Sequence, residues 1–196
     1  MRERLQAVQA AAGAIFEEIA GNKIPVSFGN DTAAMQAVRE GIAICDRSHW
    51  GIIRVADEDR IRFLHNQSTN DFQILKPGQG CDTVFVSSTA RTIDLATAYV
   101  TEDAVLLIVS PNRRQYLIDW LDRYIFFADR VKLEDISGET AVFSLIGSKS
   151  DEILAKLGAS SISDRSYANH QLVNLGGTEI RVAVGSGLAT PGYTVI

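Results

Sequence analysis

Three strand-like runs follow one another with almost nothing between them: DTVFVSS (82–88), TIDLATAYV (92–100) and AVLLIVS (104–110). The links between them are the short polar triplets TAR and TED. A parallel crossover needs about a dozen residues or more, so such links fit an antiparallel meander better than βαβ units. GIIRV (51–55) precedes the meander and VKLEDIS (131–137) follows it. Between GIIRV and the meander, Ala56-Asp57-Glu58-Asp59 opens a helix that runs through Phe63-Leu64-His65. Its early acids suit the positive end of a helix dipole. After the meander, PNRRQYLIDWLDRYIFF (111–127) places Leu117, Trp120, Leu121 and Tyr124 on one helical face, with Pro111 at the start. The order across 51–137 is β-α-β-β-β-α-β. This is a ferredoxin-like βαββαβ plan with one extra strand, and the fold class is α+β.

The flanks carry looser patterns. Leu5, Val8, Ala12, Ile15, Phe16 and Ile19 recur at helical spacing, which predicts a helix over 2–19 closed by Gly21-Asn22. A loop with Pro25 and the turn signal Gly29-Asn30-Asp31 follows, and Asp31 is expected to cap a helix over 32–40 that Gly41 ends. AVFSLIG (141–147) reads as a strand, Ser148 as the cap of a helix over 148–157 ending at Gly158, and 159–169 as a polar loop. HQLVNLGGTEIRVAVG (170–185) reads as a hairpin turning at Gly176-Gly177. GYTVI begins a further strand and stops at Ile196, which suggests a truncated chain or a half-length relative of something longer.

Function classes are narrowed mainly by what is missing. The net charge of −5 gives a mildly acidic surface, which argues against a nucleic-acid partner. No apolar run approaches the roughly 20 residues of a membrane span, and the amphipathic start, with Glu3, Glu17 and Glu18, is not a secretory signal. Cys45 and Cys81 have no CxxC spacing and read as reduced thiols of a cytoplasmic protein. The chain contains no GxGxxG, P-loop, HExxH or GxSxG string. His49, His65 and His170 have no ligand-like spacing, so no metal site is signalled. The densest chemistry is Asp46-Arg47-Ser48-His49-Trp50 within GIAICDRSHWGIIRV (41–55). Adjacent side chains on an extended segment point to opposite faces, so Ser48-His49 is no nucleophile–base pair. On residue patterns alone Asp46 turns the chain, and His49 or Trp50 packs under a sheet.

An ordered set of further stretches changes the balance. GIAICDRSHWGIIRV resembles "GLFDVSHMGKI" of the glycine-cleavage T-protein (aminomethyltransferase) family, and FLHNQSTNDFQILKPGQG (63–80) resembles its "FLQ…TND…L.PGQ". TARTIDLATAYV (89–100) is similar to "GGVIDDLIVY", and IVSPNRRQYLIDWL (108–121) to "VVNAANRDKDLAWL". EDISGETAVFSLIGSKSDEILAKL (134–157) resembles "EDVSDELALLALQGPKAEAVLQKL", and GLATPGYTVI (187–196) falls where the family reads "GYTGEDGVEI". The resemblance covers about residue 30 to the end. It implies a lobe of 1–50 with 138–196, an inserted ferredoxin-like lobe of 51–137, and no counterpart of the family's C-terminal barrel lobe.

The family has two branches: aminomethyltransferases that use tetrahydrofolate, and YgfZ-like folate-binding proteins implicated in iron–sulfur protein maturation. The family's "IDDL" becomes Ile93-Asp94-Leu95-Ala96 here, so the transferase's key second carboxylate is replaced by Leu95. Asp94 faces the other way on an alternating strand and does not substitute for it, although the resemblance keeps it among the candidate folate contacts. The family's folate-gripping Glu aligns with Thr190, whose hydroxyl makes only part of a carboxylate's contacts. Tyr99 shares the strand face of Leu95 and reads either as a ligand-stacking aromatic or as a plain strand aromatic. Asn70 in the "TND" turn, and Asn112 and Arg113 at a helix start, carry the same two readings: folate contact, or turn and surface roles. Ser48, His49 and Trp50 are implied to line or shape the channel. The maturation branch's K-G-C-Y-x-G-Q-E string is absent from this chain. The resemblance therefore implies a tetrahydrofolate-binding accessory protein with a possible protein partner. The alternatives are an aminomethyltransferase and a ligand-free interaction module.

Overall fold

The computed structural model describes residues 2–158, 162, 164–188 and 190–196. In chain order the elements are α1 (Arg2–Ala11), β1 (Ile15–Ile19), β2 (Asn22–Ser27), α2 (Asp31–Glu40), β3 (Ala43–Asp46), β4 (Gly51–Ala56) and α3 (Arg60–Gln67). Then come β5 (Gly80–Val86), β6 (Thr92–Val100), β7 (Ala104–Val109), α4 (Arg114–Asp122), β8 (Lys132–Asp135) and β9 (Phe143–Ile146). The remaining elements are α5 (Ser150–Lys156), β10 (His170–Leu175), β11 (Thr178–Val184) and β12 (Gly192–Val195). The class is α+β, with antiparallel sheets. The chain divides into two compact units.

One unit comprises Trp50–Gly138 and Ser166–His170. Its sheet has the order β5-β6-β7-β4-β8, and every measured pairing is antiparallel. The first strand, β4, sits between β7 and β8, as in a βαββαβ sheet, and β5 extends the edge. Helices α3 and α4 cover one face. Phe63, Leu64, Leu117, Trp120 and Leu121 meet Ile53, Val55, Phe85, Ala96, Ala98, Val105 and Leu107 there. Burying each larger apolar side chain contributes about 1.5–3 kcal/mol. A register shift opposite Phe85/Val86 pairs Phe85 with Asp94 and Val86 with Thr92. Past that bulge, Asp94, Ala96, Ala98 and Val100 face the helices, while Leu95, Thr97 and Tyr99 face the other way.

The other unit comprises Met1–His49, Glu139–Arg165 and Gln171–Ile196. Its sheet has the order β10-β11-β12-β9-β3, with Leu145, Leu154, Ile162, Val173, Val182 and Tyr193 as its core.

Several expectations need correction. The helix over 2–19 ends at Ala11, and Ile15–Ile19 instead pairs with Asn22–Ser27. The chain turns out of the helix at Gly13, whose N–H reaches the Ala10 carbonyl at 3.0 Å. Gly21-Asn22 closes no helix. Ala20 and Gly21, at φ 50° and 73°, form the turn of the β1–β2 hairpin. Pro25 belongs to β2 rather than a loop; a two-stranded sheet leaves one side of each strand free of ladder bonds. Asp31 is the first residue of α2, not its cap, and its Oδ1 accepts from Ser27 Oγ at 2.7 Å. Lys149 precedes α5 in the position assigned to Ser148, and Ser150 Oγ donates to the Gly147 carbonyl at 2.7 Å. Helix α4 starts at Arg114, three residues after Pro111, and ends at Asp122. Of the expected loop over 159–169, residues 159–161 and 163 lie outside the described residues, as does Ala189 of the GLATPGYTVI stretch.

Candidate functional site

The face of the β5–β6–β7 sheet that the helices leave uncovered carries most of the chemistry of its unit. Cross-strand pairing sets Val84 opposite Leu95, Asp82 opposite Thr97 and Gly80 opposite Tyr99. Leu95 is 56% exposed, so this end of the face is open. At the other end Tyr99 is 2% exposed, and the His170 ring packs edge-on against it with centroids 5.4 Å apart. His170 arrives on the segment Ser166–His170, whose backbone is fixed by a 2.8 Å bond from His170 N–H to the Gly78 carbonyl. At Gly80 a Cβ would sit 2.9 Å from the Ala168 carbonyl oxygen and 3.1 Å from Tyr99 Cδ1, so only glycine lets this segment lie so close.

Asp82 holds the middle of the same face. Its Oδ1 accepts from Thr97 Oγ1 at 2.8 Å, and the Tyr167 hydroxyl donates to both oxygens at 2.9 and 3.0 Å. Burial and the Asp82 hydrogen bond raise the Tyr167 phenol above its ordinary value. Next door, burial and the Asp82 charge push the Cys81 thiol up to about 11.

Asp94 is committed on the opposite face. It is 5% exposed; its Oδ2 accepts from Ser110 N–H at 2.9 Å and its Oδ1 from Ser110 Oγ at 2.7 Å. Asn70 is spent on its own turn. Its amide donates to the Asp82 carbonyl at 2.8 Å, its Oδ1 accepts from Asp71 N–H at 2.8 Å, and its N–H reaches Thr83 Oγ1 at 3.2 Å. Asn112 and Arg113 are exposed in the turn before α4, where the Arg113 guanidinium lies 5.8 Å from the centre of the Tyr116 ring. Trp50 is half-buried at the start of this unit.

In the other unit the Asp46–His49 stretch is a tightly bonded turn. Asp46 Oδ1 accepts from Ser48 N–H at 2.8 Å, and its Oδ2 from Gln9 Nε2 at 2.6 Å. The Ser48 hydroxyl accepts from Val142 N–H at 3.1 Å, so it is fixed to the backbone of the neighbouring segment. His49 is half-buried, and burial lowers its pKa, with the Asp46 charge opposing. Arg47, for which the sequence suggests no role, is 3% exposed; its Nη1 donates to the Ser186 carbonyl at 2.9 Å and to Ser144 Oγ at 3.3 Å. The following loop is tied to the same point, because Ser186 Oγ donates to the Thr190 carbonyl at 2.7 Å and lies 3.2 Å from the Thr190 hydroxyl. Thr190 itself is exposed.

Three comparisons bear on what this framework is. A family model described as the GCVT N-terminal domain matches residues 5–186. The chain belongs to the GCVT N-terminal domain family. Within it, a chloroplastic protein of Arabidopsis thaliana named as a candidate transferase is 43% identical over 192 residues, covering 98% of this chain and 44% of that protein. The aminomethyltransferase of Geobacillus thermodenitrificans is 35% identical over 158 residues, 80% of this chain and 42% of its own length. The chain thus spans about half the length of the curated relatives it matches. In fold, it superposes on the glycine cleavage system aminomethyltransferase T from Bartonella henselae with a TM-score of 0.85, at 18% identity, over 97% of this chain and 52% of that one. That likeness is one of fold.

Sequence reasoning missed the roles of Asp82, Tyr167 and His170 in this GCVT-family chain. Asp82 carries a signal, since it opens a strand at a position that shares the face of Leu95. Tyr167 and His170 carry none, because they come from more than sixty residues downstream of Tyr99. Among the described residues no group of three or more His, Cys, Asp or Glu side chains is placed to hold a metal ion, and no helix is long and apolar enough to cross a membrane.

Proposed function

We propose that this chain binds a reduced folate on the uncovered face of β5–β6 and serves as an accessory factor rather than as an aminomethyltransferase. The observation that carries this reading is Leu95. It stands exposed at the position where the family resemblance puts the transferase's carboxylate, and an apolar side chain there neither orients nor deprotonates an amine. Asp94 does not take over the role, because it lies on the helix side with both oxygens bonded to Ser110. What remains suits binding: an apolar wall at Leu95 and Val84 and hydroxyls from Thr97 and Tyr167, with Tyr99, covered by His170, supporting the face from within the core. Trp50, Asn112 and Arg113 of the same unit are further candidates for contact, Asn70 shapes the site through its turn, and Thr190, Ser48 and His49, which the family resemblance also names, belong to the other unit. The accessory role would lie in one-carbon metabolism or the maintenance of iron–sulfur proteins, with a protein partner. Free thiols at Cys45 and Cys81 support a reducing compartment such as the cytoplasm.

The second reading, aminomethyl transfer to tetrahydrofolate, is favoured by the names of several relatives. Calorimetric titration with 5-formyl-tetrahydrofolate, paired with an assay of methylene transfer from an aminomethyl-lipoyl donor, separates the possibilities. Saturable binding without turnover is the expected result. Turnover would replace the accessory reading with the transferase one. No heat of binding at millimolar ligand would leave an interaction module.

A further inference from the structure

Along one side of α1, Arg2, Leu5 and Gln9 face the start of β2 at Lys23 and Ile24 and the turn at Asp46, enclosing a cleft of about 310 Å³ that opens to solvent on one side. That is several times the roughly 30 Å³ of a single water. All of these residues belong to the unit that contains Met1–His49, and the folate reading does not rest on them. Gln9 is the unusual member. It is 7% exposed, and its Nε2 donates to Asp46 Oδ2 at 2.6 Å. That contact fixes the amide, because the flipped form would set an oxygen against a carboxylate. Gln9 Oε1 is buried and accepts no hydrogen bond among the described residues. A buried acceptor left without a donor is destabilising.

Asp46 asks for the same kind of partner. Among the described residues it forms no ion pair, and its two hydrogen bonds come from neutral donors, Gln9 Nε2 and Ser48 N–H. The oxygen and nitrogen of one amide lie about 2.2 Å apart, so Gln9 Oε1 is within about 5 Å of Asp46 Oδ2. One nitrogen donating to each oxygen at about 2.9 Å bridges that span. An ammonium group brings the donors and a positive charge together. The rest of the cleft sets what the ammonium is attached to. Leu5 and Ile24 give an apolar wall for a short carbon chain. Arg2, which donates to Asn22 Oδ1 and to the Ser48 carbonyl, and Lys23, whose Nζ lies 4.8 Å from the centre of the Phe16 ring, add two positive charges to the lining. They repel a simple amine and attract a carboxylate at its far end. We infer that this cleft binds a small zwitterion: a free amino acid whose ammonium group sits on Gln9 and Asp46 and whose carboxylate lies toward Lys23 and Arg2.

Calorimetry on the chain at low salt tests this with glycine, β-alanine and 4-aminobutyrate, which separate the two charges by successively longer chains. Butylamine and butyrate serve as the two halves. Saturable binding of at least one amino acid is expected, about tenfold or more tighter than either half. Asp46→Asn keeps the turn, since its Oδ1 still accepts from Ser48 N–H and its amide donates to Gln9 Oε1 once the Gln9 amide turns over. It removes the charge and the open acceptor together. The variant should melt close to wild type, and its affinity for the amino acid should fall by about tenfold or more. Gln9→Met fills the same space without an acceptor and gives an independent reading, with a similar loss expected. A folded variant of either kind that binds as well as wild type overturns the inference. So does butylamine binding as tightly as the best amino acid, which would make the ligand a plain amine. Absence of saturable heat from all three amino acids at high millimolar concentration would mean that water alone meets Gln9 Oε1, and would overturn it as well.

Discussion

Asp94 is the acid that survives from the family's pair, and its environment makes a quantitative claim about its work. The carboxyl is 5% exposed and receives both the N–H and the hydroxyl of Ser110. Those bonds join the start of β6 to the residue after β7. Asp94→Ala removes both acceptors. The Ser110 hydroxyl can rotate to another partner, but the part-buried N–H cannot, and an unsatisfied donor costs about 1–3 kcal/mol. The lost packing adds about 1 kcal/mol, for a total of about 2–4 kcal/mol. Asp94→Asn is different: its Oδ1 accepts from the N–H while its amide donates to the Ser110 oxygen. The loss should stay under about 1.5 kcal/mol. Ser110→Ala keeps the backbone bond and should cost about 1 kcal/mol. The assay is urea unfolding followed by tryptophan fluorescence, because both tryptophans, Trp50 and Trp120, lie in the unit that contains Asp94. Folate affinity of the folded variants should stay within about twofold of wild type, since the side chain faces the helices. The reasoning fails if Asp94→Ala unfolds within about 0.5 kcal/mol of wild type, or if Asp94→Asn abolishes ligand binding while the protein remains folded.

Three other outcomes follow from the same geometry. Gly80→Ala should destabilise the Trp50–Gly138 unit by about 1–3 kcal/mol, because its Cβ would press on the Ala98 and Ala168 carbonyl oxygens and no side-chain rotation relieves a backbone clash; a urea midpoint equal to wild type would contradict this. Gly187→Ala should lower the melting temperature on scanning calorimetry, since φ is +70° and a Cβ would collide with the buried Arg47 guanidinium; combined with Arg47→Lys the loss should be less than additive, and strict additivity would mean the clash is not the cause. His49 has a lowered pKa in the fold, chiefly through burial. As pH falls below the ordinary histidine value of about 6.5, the unfolded chain takes up a proton that the folded chain resists, so stability declines. His49→Asn should flatten the urea midpoint between about pH 7.5 and 5.5, and an unchanged slope would exclude His49 as its source.

Much of the fold was legible in the sequence because it depends on local chemistry. The triplets TAR and TED leave a chain no room to cross over, and an antiparallel meander is the outcome. Gly176-Gly177 takes positive φ at both positions, as a two-residue hairpin turn requires. The opposite orientation of Asp94 and Leu95 followed from strand alternation alone. The misread helix over 2–19 shows the limit of such reasoning: Ile15, Phe16 and Ile19 fit a helical period and a hairpin equally well. Pairing with Asn22–Ser27, which no single-segment pattern contains, decided between them.

The candidate site divides along the same line. That Leu95 replaces a carboxylate is a statement about residue identity, and the sequence makes it unaided. Which groups surround that position is a matter of distance, and distance between remote segments is set only when the chain folds. Segment 166–170 brings His170 over Tyr99 and Tyr167 onto Asp82, turning one end of the face into core and leaving the other open. Ser48 looks like a reactive hydroxyl in the string Asp46-Arg47-Ser48-His49, yet the fold spends it on the backbone of Val142. Sequence determines which side chains exist and which side of a strand they take, through rules that act over a few residues. Only the tertiary structure decides which of them are satisfied by partners and which are left facing solvent, because burial and hydrogen bonding are settled by contacts between segments that the chain order keeps apart.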